Sequence, residues 1–202
     1  MLSRWPAPQR CKRRLAMGVG VERAAAIQAR LLLHGLVVAR QALDRSPGPA
    51  PELVLAVEGL GRRAAARWGR NLGRVRTVPQ GRGGLGVRLQ RQVRRARREG
   101  AGPVVLIGSD LPELAALDLL RAFTLLESHP LVLGPARDGG YWLIGLAGDW
   151  PALFAGLDRP IPWGGAQVLA RTLAVAEALG LEAGMLPLRA DLDRPVDLER
   201  WR

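Results

Sequence analysis

The chain is 202 residues long and has little cysteine, histidine, lysine or aromatic side chain. Each shortage excludes a class of chemistry. A single cysteine, Cys11, leaves no intramolecular disulfide. One cysteine with two histidines, His34 and His129, argues against a classical zinc site. His34 falls in an apolar helix and His129 precedes a proline, so neither has a matching nucleophile. The G-x-S-x-G elbow of serine hydrolases does not occur. Six Trp, one Tyr and two Phe are too few to build stacking platforms for single-stranded nucleic acid. The longest charge-free stretch is 11 residues, 160–170, where a membrane-spanning helix needs about 20. With no basic segment leading into an apolar run at the start, no secretory leader is expected. A cytoplasmic protein is the expectation.

Apolar residues make up 48% and charged residues 24%, which suits one globular domain spanning residues 1–202. The net charge of +12 is unevenly spread. Residues 1–100 hold 22 Lys and Arg against 5 Asp and Glu, whereas residues 101–202 hold 8 against 13. One half is therefore suited to anions and the other to gathering carboxylates. Of 30 basic residues 29 are Arg, a compositional bias that Lys12 alone escapes. The bias explains the choice of Arg over Lys but not its concentration in one half.

Periodicity predicts helices over residues 24–43, 61–68, 85–98, 113–127, 165–179 and 195–201. It predicts strands over 53–57, 74–78, 103–108, 131–134, 141–146 and 185–188, with a loop over 46–51. Strands alternating with helices predict an α/β sandwich on a mostly parallel sheet.

Six segments invite a chemical reading. Asp110, in Gly108-Ser109-Asp110-Leu111-Pro112, follows the most apolar strand, where ligands of open α/β sheets collect. A carboxylate there can hold Mg²⁺ or Mn²⁺, or it can simply cap the next helix. Asp138-Gly139-Gly140-Tyr141 is either a ligand-facing turn or an ordinary hairpin. In Asp191-Leu192-Asp193-Arg194-Pro195-Val196-Asp197 a carboxylate pair could complete a metal site; Asp197 reads better as a first-turn helix acid. The loop with Arg10, Lys12, Arg13 and Arg14 suits phosphate oxygens, or is a solvated basic turn. Gly81-Arg82-Gly83-Gly84-Leu85-Gly86 spells G-x-G-x-x-G, but the strand before it alternates and Pro79 interrupts the approach. The dinucleotide reading is therefore set aside. Arg88, Arg91, Arg94, Arg95, Arg97 and Arg98 lie opposite an apolar stripe and read as a solvated face, not a nucleic-acid surface.

Taken in order, these blocks resemble a family of small bacterial glycosyltransferase-like proteins with the GT-A (nucleotide-diphospho-sugar transferase) fold. That family is distantly similar to the guanylyltransferases of molybdenum-cofactor and deazaflavin-cofactor synthesis. Its pattern opens with K-x-P-x-P-G-x-x-K-T-R-L, seen here from Arg4 to Leu15. L-G-x-R-L follows at Leu85–Leu89 and G-x-D-x-P at Gly108–Pro112. G-P-x-x-D-G-G-Y-x-L-I-G-L runs from Gly134 to Leu146, and D-x-D-x-P-x-D-L from Asp191 to Leu198. The resemblance implies a three-layer α/β/α sandwich with a mixed, mostly parallel sheet.

The resemblance also implies roles. Arg10, Lys12, Arg14 and Arg88 would bind the nucleotide phosphates, and Asp110 with Asp138 would be catalytic. Asp110 and Asp193 would hold Mg²⁺ or Mn²⁺, while Gly139, Gly140 and Tyr141 would border the sugar or acceptor. The expected activity is glycosyl transfer from a nucleotide-sugar to a small-molecule acceptor. The first alternative is nucleotidyl transfer from a nucleoside triphosphate to a small phosphorylated acceptor. The second is a degenerate nucleotide-binding protein without catalysis. Three departures motivate that second alternative: Gln9 replaces the loop glycine, Arg13 replaces the threonine, and the first strand is nearly missing, so that the true start lies upstream or the sheet is short.

Overall fold

The computed structural model describes residues 1–46, 51–73, 75–155 and 161–201. Most of the predicted loop over 46–51, and Arg74 of a predicted strand, lie outside the described residues. Contacts divide the chain into two compact units. The first comprises Met1–Gln80, Gly108–Ala116 and Asp191–Arg202, the second Gly81–Ile107 and Leu117–Ala190.

The first unit holds a three-stranded parallel sheet, ordered β1 (Leu2–Arg4), β2 (Val54–Glu58), β3 (Arg76–Pro79). The short first strand is present: Leu2, Ser3 and Arg4 stand opposite Ala56, Val57 and Glu58. Above them, the Met1 amine is buried and donates to the Val54 carbonyl; desolvation pushes its pKa down to about 5. Central β2 buries Leu55, Ala56 and Val57, as a strand flanked on both sides must. Pro79 does not interrupt β3 but closes it, paired with Val57 on a strand that is an edge among the described residues, where its missing N–H costs no ladder bond.

The expected long helix is longer, α2 at Val21–Arg45, preceded by the short α1 at Arg13–Val19. In α2, Ala24, Gln28, Leu31, Leu32, Leu36, Ala39 and Ala42 are buried at helical spacing, one stripe facing inward. A third helix, α3, spans Arg62–Asn71 and brings Gly69 against the Val75 carbonyl. Leu15 of α1 joins Ala24, Leu31 and Leu192 in a cluster that Leu198 and Trp201 also touch. Gly18 completes this contact, because a Cβ there would lie 2.5 Å from the Pro195 ring. The terminal segment Pro195–Trp201 is 3-10 rather than α-helical.

The second unit contains a four-stranded mixed sheet ordered β4 (Val104–Ile107), β6 (Tyr141–Leu146), β5 (Leu131–Pro135), β7 (Ala183–Met185). Strand β6 runs antiparallel to both neighbours, and β7 parallel to β5. Helices α4 (Leu85–Arg98), α5 (Ala116–Leu125) and α6 (Val168–Ala178) accompany these strands in the chain. Of these, α5 starts three residues later than its periodicity suggests, because Leu111–Ala115 forms a turn instead. Among the described residues no helix is long and apolar enough to cross a membrane.

Candidate functional site

Strand β1 feeds an irregular loop, residues 5–12, that leads directly into α1. Its backbone is unusual at two non-glycine positions: Gln9 has φ 64° and Lys12 φ 47°, both left-handed. Gln9 thus keeps the conformation that the family's glycine would adopt freely. Lys12 is the residue before α1, and its left-handed turn swings the side chain inward. That side chain is only 2% exposed.

Two carboxylates meet this loop. Lys12 Nζ lies 2.7 Å from Asp110 Oδ1 and also donates to the Leu192 carbonyl. Arg14 Nη1 lies 3.0 Å from Asp193 Oδ2. The carboxylate segments are themselves joined, since the Leu192 N–H donates to the Asp110 carbonyl at 2.8 Å. Asp110 is half exposed, so one face of its carboxylate is open to a ligand. It is not a helix cap, because α5 begins six residues further on. Asp197 accepts from the Asp193 and Arg194 N–H groups at 3.0 and 2.7 Å, and so fixes the turn that carries Asp193.

Behind Asp110 lies a buried polar network that sequence reasoning missed. The Gln28 amide on α2 donates to Ser109 Oγ at 2.8 Å and to Ser3 Oγ at 3.2 Å. His34, two turns on, contacts the Leu114 carbonyl through Nε2 at 3.1 Å. Helix α2 therefore pins the Asp110 segment at both ends. A lone glutamine inside an apolar stripe was the available signal, since a buried amide demands partners.

Of the remaining expected site residues, one lies on the same loop and the others in the second unit. Arg10 is exposed on the loop. Asp138, Gly139, Gly140, Tyr141 and Arg88 lie in the second unit. There the Asp-Gly-Gly turn joins β5 to β6 as a hairpin, with Gly140 N–H donating to Asp138 Oδ1 at 2.9 Å. Gly139 (φ 86°) is needed by its own surroundings, for a Cβ would come within 1.9 Å of the Ala166 carbonyl oxygen. The Tyr141 hydroxyl is buried beside Thr172, and desolvation raises its pKa. Arg88 donates to the Gly83 carbonyl at 2.8 Å and Arg91 to the Arg82 carbonyl at 2.8 Å, so the glycine loop is clasped by its own helix.

Among the described residues no group of three or more His, Cys, Asp or Glu side chains could hold a metal ion. Asp110 and Asp193 nonetheless suit Mg²⁺, which commonly takes one or two carboxylates and completes its shell with substrate phosphates and water.

The chain has the nucleotide-diphospho-sugar transferase fold. A structure from Desulfovibrio desulfuricans G20, assigned as a nucleotide-diphospho-sugar transferase, superposes with a TM-score of 0.81 at 28% identity, covering 98% of this chain and 83% of that one. CMP:2-keto-3-deoxy-manno-octonic acid synthetase, solved with CTP, shares the fold at a TM-score of 0.57 and 13% identity, over 99% of this chain and 94% of that one. Within this class, the chain belongs to the family described as an uncharacterized protein conserved in bacteria (DUF2064), which matches residues 40–164. It is also 43% identical over 100 residues to the 3-phospho-D-glycerate guanylyltransferase of Phenylobacterium zucineum. That match takes in 46% of this chain and 41% of the relative, so the chain spans about two-fifths of the relative's length.

Proposed function

We propose that the protein is a nucleotidyltransferase that moves a nucleoside monophosphate from a nucleoside triphosphate to a small phosphorylated acceptor. The observation that carries the site is the buried Lys12 ammonium 2.7 Å from half-exposed Asp110, at the end of a left-handed loop. What favours nucleotidyl over glycosyl transfer is the 43% identical stretch of a guanylyltransferase, and for that reason GTP is the first donor to test.

In this reading the acceptor phosphate oxygen attacks the donor α-phosphorus. The new P–O bond forms as the bond to the β-phosphate bridging oxygen breaks, and pyrophosphate leaves. Lys12, as a point charge, and Arg14, as a planar fork, hold the phosphate oxygens on which charge grows. Exposed Arg10 supplies further positive charge at the rim. Asp110 and Asp193 would hold a Mg²⁺ or Mn²⁺ ion, and such an ion would supply charge neutralisation for the pyrophosphate leaving group. Gln28, through Ser109, keeps the Asp110 segment from drifting as charge redistributes.

Glycosyl transfer from a nucleotide-sugar is the second reading, supported by the whole-chain likeness to the Desulfovibrio protein. A thermal-shift panel of the four nucleoside triphosphates and of UDP-, GDP-, ADP- and dTDP-sugars, with and without Mn²⁺, separates the two. Nucleotidyl transfer predicts stabilisation by a triphosphate with metal, and pyrophosphate release on turnover. Glycosyl transfer predicts stabilisation by a nucleotide-sugar, and release of a nucleoside diphosphate. Silence toward every donor would leave the non-catalytic alternative. Asp110→Asn should abolish the metal-dependent part of the shift, and a shift that survives intact removes Asp110 from the cation site.

A further inference from the structure

The two carboxylates assigned above to the cation are already neutralised by the two basic side chains assigned to phosphate. Lys12 sits on Asp110 at 2.7 Å and Arg14 on Asp193 at 3.0 Å. The Lys12 ammonium lies between a carboxylate oxygen and the Leu192 carbonyl oxygen, the donor types a hard divalent cation prefers. Its side chain is 2% exposed, whereas that of Asp110 is 49% exposed. The anion of the pair faces solvent, and the cation lies beneath it.

These four groups carry no net charge together. A divalent cation arriving alone must displace Lys12 and Arg14 from the carboxylates it would bind, leaving both bases without their partners. A polyphosphate arriving alone must take the same two bases away from Asp110 and Asp193, leaving both carboxylates without theirs. When both arrive, the partners can be exchanged: ammonium and guanidinium turn to phosphate oxygens, and the carboxylates turn to the cation. Every charge then keeps an opposite neighbour.

We infer that Lys12 and Arg14 are built-in counter-ions that keep a divalent cation off Asp110 and Asp193 until a polyphosphate draws them away. The identity of the polyphosphate rests on the function proposed above; the blocking of the carboxylates rests on the two pairs alone. Linkage requires the effect to be mutual, so each ligand strengthens the other by the same factor. A purely structural role for the pairs would predict no gain in cation affinity when one is broken.

The test is a titration of Mn²⁺ followed by the electron paramagnetic resonance of the free ion, on wild type, Lys12→Met and Arg14→Gln. It is repeated with a GTP analogue whose α,β-bridge is a methylene and cannot be cleaved. Mn²⁺ alone should bind wild type weakly and either variant about tenfold more tightly, because the carboxylate has lost its competitor. In wild type the analogue should restore at least the same gain. Lys12→Met keeps an apolar stem of similar length at the buried position. Arg14, 62% exposed, can be replaced without disturbing the core, so the test survives if the first variant fails to fold. Unchanged or weaker Mn²⁺ binding in the folded variants overturns the inference. A gain in the variants while wild type ignores every nucleotide upholds the counter-ion role and overturns the donor assignment instead.

Discussion

Gln9 is the residue on which the phosphate-loop reading turns. Its replacement of glycine suggests a degenerate loop, yet the backbone adopts φ 64° all the same. A side chain there carries strain that glycine would not. Gln9→Gly is expected to raise stability by about 1 kcal/mol, net of the entropy glycine loses on folding, as read by urea denaturation. A loss of stability would mean that the glutamine side chain holds the loop. Lys12 adopts the same region, and here the strain has a use, since it aims the ammonium inward. The sequence marked this lysine out as the only one in an arginine-rich chain. Its partnership with Leu192 was not legible, because a backbone carbonyl 180 residues away leaves no residue-type signature.

At the level of elements, α2 does more than fill space. Gln28→Leu removes the donor that satisfies Ser109 and Ser3, and leaving those hydroxyls short is expected to cost about 1–3 kcal/mol. Hydrogen exchange should quicken over residues 108–116 ahead of the rest of the chain; uniform quickening would show that Gln28 acts only on global stability. Gly139→Ala tests the hairpin in the same way. With φ 86° and the Ala166 carbonyl in the path of any Cβ, it is expected to cost about 3 kcal/mol in chemical unfolding. Element type was legible where periodicity ran long, as in α2 and α4. The start of α5 was not, since Pro112 and Glu113 are good first-turn residues that a tight turn uses equally well. The pairing of β5 and β6 could be read from Asp138-Gly139-Gly140. That β7 runs parallel to β5 could not, because residues 131–133 and 183–185 carry no register marker.

For the molecule as a whole, the +12 charge and the proposed site should part company in salt. Exposed arginines attract any polyanion, and that attraction fades once screening shortens to about 6 Å near 0.3 M salt. Lys12 is buried and is screened far less. Retention on a generic polyanion such as heparin should therefore collapse across that range, while stabilisation by metal and the correct nucleotide persists. If the two decline together, donor binding is only surface charge. Some of the basic side chains also have partners within the chain: Arg88 and Arg91 on α4 donate to carbonyls of the preceding loop. The charge asymmetry along the sequence separated basic residues of the first half from carboxylates of the second, but it did not announce that Lys12 and Asp110 pair.

Cys11 is buried, its thiol donating to the Ala7 carbonyl at 3.4 Å, one residue before Lys12. Burial also pushes its pKa up, so alkylating reagents can reach a reactive thiolate only when the loop opens. Because the chain has no other cysteine, the rate at which it takes up a thiol reagent is a clock for that opening alone. The protein carries its own single-site label on the segment that would cradle a donor, and the slowing of that clock by a bound nucleotide needs no engineered probe to be seen.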